Sequence, residues 1–437
     1  MPVTRSQRPV NQPTVQSYPL EEAPLFDSPP TNELDFRPGP SEEDVTRMIS
    51  EEAYSCHVKT VPGVTRYDGT RLPANSPCED RFTHGRFPCP WNDGSEWMSW
   101  GIFDGHDGWV TAKLLERKLM SFVRDSLARL NPPGRISPIS DDNVRSAIAR
   151  GFEELDNAII MLPVTVGNSK EPLQDKIKKL APCHAGSCAL VSFYDPGRKK
   201  LYVACTGDSR AVYGRKGQNS EWKASPLSTD QTGCNKSEVE RLRRIHPDET
   251  NMVRDGRLFG LMVTRSFGDC RWKWPLGLQV EVAKRFRGRM PLLSFKDYLT
   301  PPYLTARPAV VTATVNANMP SFLIMASDGL WDLVSSEQAV NIVAKWLDSK
   351  MAGTEDSEAI PDYAPFHFGK FAEGMDCQFM DCRMTTRDEN AAVHLMRNAL
   401  GGNHHELIAS RLALAPPYCR HVRDDMTIQV IFFNADV

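Results

Sequence analysis

Six short apolar runs set the strongest limit on the fold: Met98–Phe103, Ala189–Phe193, Leu201–Ala204, Val310–Val315, Phe322–Ala326 and Thr427–Phe433. Each is bounded by turn formers and has the length of a buried strand rather than of a helix. Asp195-Pro196-Gly197-Arg198 separates the second run from the third, which predicts a chain reversal and an antiparallel hairpin. Helical spacing fills the gaps between runs. Val110, Leu114, Leu115, Leu119, Phe122, Val123, Leu127 and Leu130 form one apolar stripe, and Val144, Ile148, Phe152, Leu155 and Ile159 form another, each at the spacing of one helix face. Ser336–Leu347 predicts a third helix, capped by Ser335 or Ser336, since a serine hydroxyl accepts from the first free amides. Hairpins mixed with helices predict α+β layers rather than a strictly alternating parallel sheet.

Residues 1–40 are rich in proline and lack apolar periodicity, so they predict a disordered or extended segment that cannot offset its chain entropy. Residues 41–437 are expected to form the folded domain. With 41% hydrophobic and 24% charged residues among 437, the chain has enough material for a large core. A net charge of -3 argues against a nucleic-acid partner, which would call for a basic excess. No apolar run approaches the roughly 18 residues of a membrane span. Eleven cysteines are scattered without a CxxC pair, and free thiols are expected. The first twenty residues hold no apolar h-region, so no secretory signal is expected. Arg5, Arg8 and the absence of an acid before Glu21 resemble a transit peptide, but four prolines oppose an amphipathic helix there.

Aspartates collect at the ends of the apolar runs. Asp104 follows Met98–Phe103, Asp208 follows the run ending near Cys205, Asp328 and Asp332 follow Phe322–Ala326, and Asp424-Asp425 precede Thr427–Phe433. Glu79-Asp80 precede a further short strand near Arg81–Phe82. One Asp-Gly after a strand is ordinary turn chemistry. Acids from five such strand ends meeting at one place would repel unless a cation neutralised them, and the partner of an all-oxygen cluster is a hard ion, Mg²⁺ or Mn²⁺. Two such ions lower the pKa of a shared water, and the hydroxide attacks phosphorus in line. His106 lies between Asp104 and Asp107. It reads either as a turn histidine bonded to a carboxylate or as a general acid for the leaving oxygen, with an acid such as Asp107 holding its proton.

Seven motifs then stand in order: Cys78-Glu79-Asp80-Arg81, Phe103-Asp104-Gly105-His106-Asp107-Gly108, Gly186-Ser187-Cys188-Ala189, Thr206-Gly207-Asp208-Ser209-Arg210, Thr264-Arg265-Ser266-Phe267-Gly268-Asp269, Ser327-Asp328-Gly329-Leu330-Trp331-Asp332 and Arg423-Asp424-Asp425-Met426-Thr427. The series resembles the type 2C metal-dependent protein phosphatases. That resemblance implies a four-layer sandwich of two antiparallel sheets flanked by helices. It implies a phosphoserine/phosphothreonine phosphatase with two Mg²⁺ or Mn²⁺ ions and a third, weaker site. Glu79, Asp104 and the carbonyl of Gly105 would bind one ion, and Asp104, Asp328 and Asp424 the other. Asp80 would orient water, Asp208 and Asp332 would flank the third site, and His106 would be the general acid.

Two positions depart from the family pattern. Many members have an arginine where this chain has Asn75, and that arginine grips the substrate phosphate. Many have Asp-Asn where it has Asp424-Asp425. Both departures, with Lys273-Trp274 and Thr300–Thr305, resemble the pyruvate dehydrogenase phosphatase branch and its fungal relatives. The resemblance implies a mitochondrial enzyme acting on phosphoproteins such as pyruvate dehydrogenase E1. The alternatives are a cytoplasmic or nuclear phosphatase of the same kind, or a non-catalytic binding protein. Insertions are expected at about 271–300 and 350–387, the first carrying Lys284, Arg285, Arg287 and Arg289 as a docking surface for an acidic partner, or as a solvated loop.

Overall fold

The computed structural model describes residues 39–435 except 92, 132–138, 218, 220, 287, 294, 354–359, 368 and 371–377. The expected extended segment, apart from its last two residues, lies outside the described residues, as do Arg287 and Cys377.

Two antiparallel sheets form the centre. One holds six strands in the spatial order Tyr54–His57, Val64–Leu72, Met426–Phe433, Ser321–Ala326, Arg210–Lys216 and Trp222–Pro226. The other holds five, in the order Ala309–Thr314, Lys200–Thr206, Ala189–Asp195, Glu96–Phe103 and Arg81–Pro88. All six predicted runs are strands, and the predicted hairpin joins Ala189–Asp195 to Lys200–Thr206.

Alternation along the strands makes the layers. In Glu96–Phe103, Met98, Trp100 and Ile102 face the other sheet, where they meet Leu323, Met325 and Ile431. Trp97 and Phe103 face outward onto the helices Val110–Ala128 and Asp141–Ile160. On the far side, Ile428, Val430 and Phe432 pack against Ser336–Ala352 and Ala391–Leu400. A residue period of two therefore feeds two different cores from a single strand. The helix Ser336–Ala352 starts at a capping box, in which Ser335 Oγ accepts from the Gln338 amide and Gln338 returns the bond. Ser335→Ala is expected to cost about 1 kcal/mol of stability, measurable by urea unfolding.

Strand register brings the acids to one rim. Arg81 pairs with Phe103, which sets Glu79-Asp80 beside Asp104. Ala326 pairs with both Ile428 and Arg210, so Asp328 lies between the chain entering at Asp424 and the turn at Asp208. Met426 pairs with Leu72, which brings Asp425 to Ala74 and Asn75. In the 271–300 region, Leu276–Phe286 is a helix. It buries Val282 and Phe286 with Trp274 against the outer core, while Leu292, Tyr298 and Tyr303 pack on Trp272 in a smaller cluster. The ten described cysteines are free. Among the described residues, no helix is long and apolar enough to cross a membrane.

Candidate active site

Asp80 is buried, and its Oδ2 accepts from Ser327 Oγ at 2.8 Å and from Thr427 Oγ1 at 2.7 Å. Its Oδ1 is buried with no hydrogen-bond partner. Burial, with the charge of Asp425, pushes its pKa up to about 7. Asp104 is held well above the usual carboxylate range by burial and by Asp328, Asp80, Asp208 and Asp425. Burial and the neighbouring acids Asp208, Asp332 and Asp80 do the same to Asp328, which opens the short helix Asp328–Trp331. Glu79 is raised by burial and Asp425. Asp332 lies one turn beyond Asp328, its amide donating to the Asp328 carbonyl at 2.9 Å.

Oxygens of Asp104 and Asp208 and the sulfur of Cys188 lie within 4.8 Å of one another. The Cys188 thiol donates to Asp208 Oδ1 at 3.2 Å. Burial, with the charges of Asp208 and Asp104, raises the thiol's pKa, so sulfur enters the cluster as a neutral donor. Asp424 pairs with Arg420. Gly105 pairs with Ser187 in a small three-stranded sheet, against the carbonyl of Glu79. The donors are overwhelmingly carboxylate, they raise one another's pKa, and one buried oxygen lacks a donor. That set fits a hard divalent cation.

Asp425 is a different kind of acid. Its Oδ1 accepts from the amides of Ala74 at 2.5 Å and Asn75 at 2.9 Å. Its Oδ2 accepts from the Asn75 side chain at 2.9 Å and from the Glu79 amide at 2.8 Å. Burial opposes its charge, but these bonds hold its carboxyl below the usual range. Asn75 and Asp425 are thus partners, and Asp425 also fixes the loop carrying Glu79 through its amide. Arg81 is no free cation either. It donates to the carbonyls of Cys78 and Asp80 at 2.6 Å and lies over the Trp109 ring.

His106 bonds through Nε2 to Asp269 Oδ2 at 2.6 Å. Burial disfavours its charge, but Asp269, with Asp208 and Asp107 adding to it, lifts the imidazole to about 9. The hydrogen-bond partner is therefore Asp269, while Asp107, exposed and paired with Arg289 at 2.6 Å, adds its charge from outside. Gly186 makes room for this bond, because a Cβ there would sit 2.0 Å from His106 Nε2 and 2.2 Å from Asp269 Oδ2. Reading the sequence alone passed over Asp269 as a functional acid, though it carries the same signal as Asp208: an acid directly after glycine at the end of a short extended segment.

Comparison with known proteins decides what such a site belongs to. A family model described as Protein phosphatase 2C matches residues 69–364. The chain belongs to this family. It is a protein-serine/threonine phosphatase of a metal-dependent family, a phosphoric monoester hydrolase whose substrates are phosphoproteins. A protein phosphatase 2C homolog of Schizosaccharomyces pombe is 36% identical over 398 residues, covering 90% of this chain and 85% of that protein. The mitochondrial pyruvate dehydrogenase (acetyl-transferring) phosphatase 1 of Saccharomyces cerevisiae is 33% identical over 423 residues, covering 90% and 73%. The human mitochondrial phosphatase 2 of the same description is 27% identical over 478 residues, covering 93% and 86%. This phosphatase has the Asn75–Asp425 pair beside Glu79, whose amide donates to Asp425.

Proposed function

We propose that this phosphatase hydrolyses phosphoserine and phosphothreonine with two Mg²⁺ or Mn²⁺ ions, both of which Asp104 would help to hold. Glu79 and the Gly105 carbonyl complete one ligand set, and Asp328 and Asp424 the other. Asp208 and Asp332 flank a third, weaker position. When bound, the ions neutralise the acids and make a nucleophile of water at neutral pH. Asp80, fixed by Ser327 and Thr427, orients that water. His106, held by Asp269, gives its proton to the departing serine or threonine oxygen. The arginine we assign to the substrate phosphate is Arg420, four residues before Asp424 and paired with it. The observation carrying this reading is the convergence of Glu79, Asp80, Asp104, Asp208 and Asp328 from four strand ends, each raised first by burial and further by the charge of a neighbouring acid. Chelator-stripped protein is expected to regain hydrolysis of a phosphothreonine peptide on adding Mg²⁺ or Mn²⁺. Full hydrolysis in chelator would overturn the reading.

We further propose a mitochondrial substrate, pyruvate dehydrogenase E1 or another phosphoprotein of that compartment. Support comes from the relatives described as mitochondrial pyruvate dehydrogenase phosphatases, which cover most of this chain. The basic segment 284–289, joined to the site where Arg289 meets Asp107, is the proposed docking element for an acidic surface beside the phosphosite. The competing reading is the same chemistry in the cytoplasm. Phosphoproteomics of a strain lacking the protein separates the two. Accumulated E1 phosphorylation supports the mitochondrial substrate, and unchanged E1 phosphorylation with cytoplasmic phosphosites rising instead overturns it.

A further inference from the structure

We propose that the buried ion pair of Asp156 and Lys273 is a positioning element for proton donation, holding the turn Ser266–Asp269 so that Asp269 keeps His106 aimed. The inference rests on His106 acting as the general acid. Asp156 lies on the helix Asp141–Ile160, and both residues are buried, at 4% and 5% exposure. Lys273 Nζ donates to Asp156 at 2.7 and 2.8 Å and to the Ser266 carbonyl at 2.8 Å. Those three bonds match the ammonium's three donors. Asp156 Oδ1 also accepts from the Gly268 amide at 3.1 Å. Each member of the pair therefore grips the backbone of the same turn, at residues 266 and 268. Ser266 Oγ then donates to Asp269 Oδ2 at 2.7 Å, the oxygen that meets His106.

The turn needs holding. Gly268 has φ +67°, and a Cβ there would lie 2.3 Å from the Ala185 carbonyl. Asp269 has φ +46° without being glycine, a strained conformation for a residue with a Cβ that persists only where the surroundings over-determine it. A buried ion pair is a weak device for stability, since apolar replacements are often as stable. An apolar pair would fill the same space but could bond neither Ser266 nor Gly268. The two charges are explained by the turn they hold and not by the core they occupy.

The test uses substrates that differ in their need for a proton. A phosphothreonine peptide leaves as an alkoxide and needs the general acid, whereas p-nitrophenyl phosphate leaves as a stable anion. Asp156→Leu/Lys273→Met removes both charges together, so no lone charge stays buried. It is expected to lower kcat on the peptide by about 10- to 100-fold, part of the range a general acid supplies. KM is expected to stay unchanged, as is kcat on p-nitrophenyl phosphate. Asp156→Asn, which keeps an oxygen for Gly268 but turns an amide toward Lys273, gives the same split at smaller size and serves if the double variant does not fold. His106→Asn gives the split at about 100-fold or more, and adding it to the double variant lowers peptide turnover no further than His106→Asn alone, since the residues act as one unit. If the pair variants lower both substrates equally or leave both unchanged, while His106→Asn splits them, the positioning inference is overturned. If His106→Asn itself lowers both equally, the general-acid reading fails instead.

Discussion

Asp104→Asn is expected to lower kcat/KM on a phosphothreonine peptide by about a thousand-fold or more, roughly 4 kcal/mol of transition-state stabilisation. Asp104 sits where the ends of Glu96–Phe103 and Arg81–Pro88 meet the turns at Asp208 and Asp328. The charges of Asp80, Asp208, Asp328 and Asp425 all bear on it. Asparagine keeps the size and one oxygen but removes the charge, so cation binding suffers while packing is spared. Calorimetry and thermal melts separate the two. In the absence of divalent ions the variant's melting temperature is expected to be no lower than the parent's, because burial and four neighbouring acids already disfavour the charge at this position. With Mg²⁺ at a hundred times its Kd, the parent gains about 2.7 kcal/mol from linkage, and the variant gains much less. Full activity in Asp104→Asn, or equal stabilisation of both proteins by Mg²⁺, would sink this role in holding the ions.

Asp425→Ala should be the second most damaging change, although Asp425 is not assigned as a ligand. It strips acceptors from the amides of Ala74, Asn75 and Glu79 and from the Asn75 side chain at once. Each buried donor left unmade costs about 1–3 kcal/mol, and the loop carrying Glu79 loses its anchor. Mg²⁺ affinity is expected to fall about 10- to 100-fold, the usual effect of removing a group that orients a ligand. Asp425→Asn should be milder. Its remaining oxygen still serves Ala74 and Asn75, and a flip of the Asn75 amide can meet the new amide, leaving Glu79 alone without an acceptor. Isothermal titration of Mg²⁺ into the two variants measures the order, and Asp425→Ala binding as tightly as the parent would show that the loop holds Glu79 unaided.

How much of this was legible in the sequence depended on distance along the chain and on periodicity. The strands that carry Asp104 and Asp328 showed because their apolar runs are long and sharply bounded, and an acid just past a strand end is placed by the strand itself. Arg210–Lys216 escaped notice, since only three apolar residues stand between cations, although its partner strands bury it centrally. The helix Leu276–Phe286 was disguised: Leu276, Leu278, Val280 and Val282 alternate like a strand, while burial falls on Gln279, Val282 and Phe286 at helical spacing. His106 was visible, but its partner was not. The bond to Asp269 spans 163 residues and is built on two-residue strands, too short to show any period. The Asn75–Asp425 pair was seen as two separate oddities, because nothing short of the register of Val64–Leu72 against Met426–Phe433 brings them together.

That pair also bears on selective inhibition. A phosphate-mimicking compound that draws its affinity from an arginine at the position of Asn75 would find here an amide already committed to Asp425. Such a compound would discriminate against this phosphatase without any change to the metal ligands. Conversely, a neutral hydrogen-bonding group reaching the loop at residues 74–79 would meet the Asn75 amide rather than a cation.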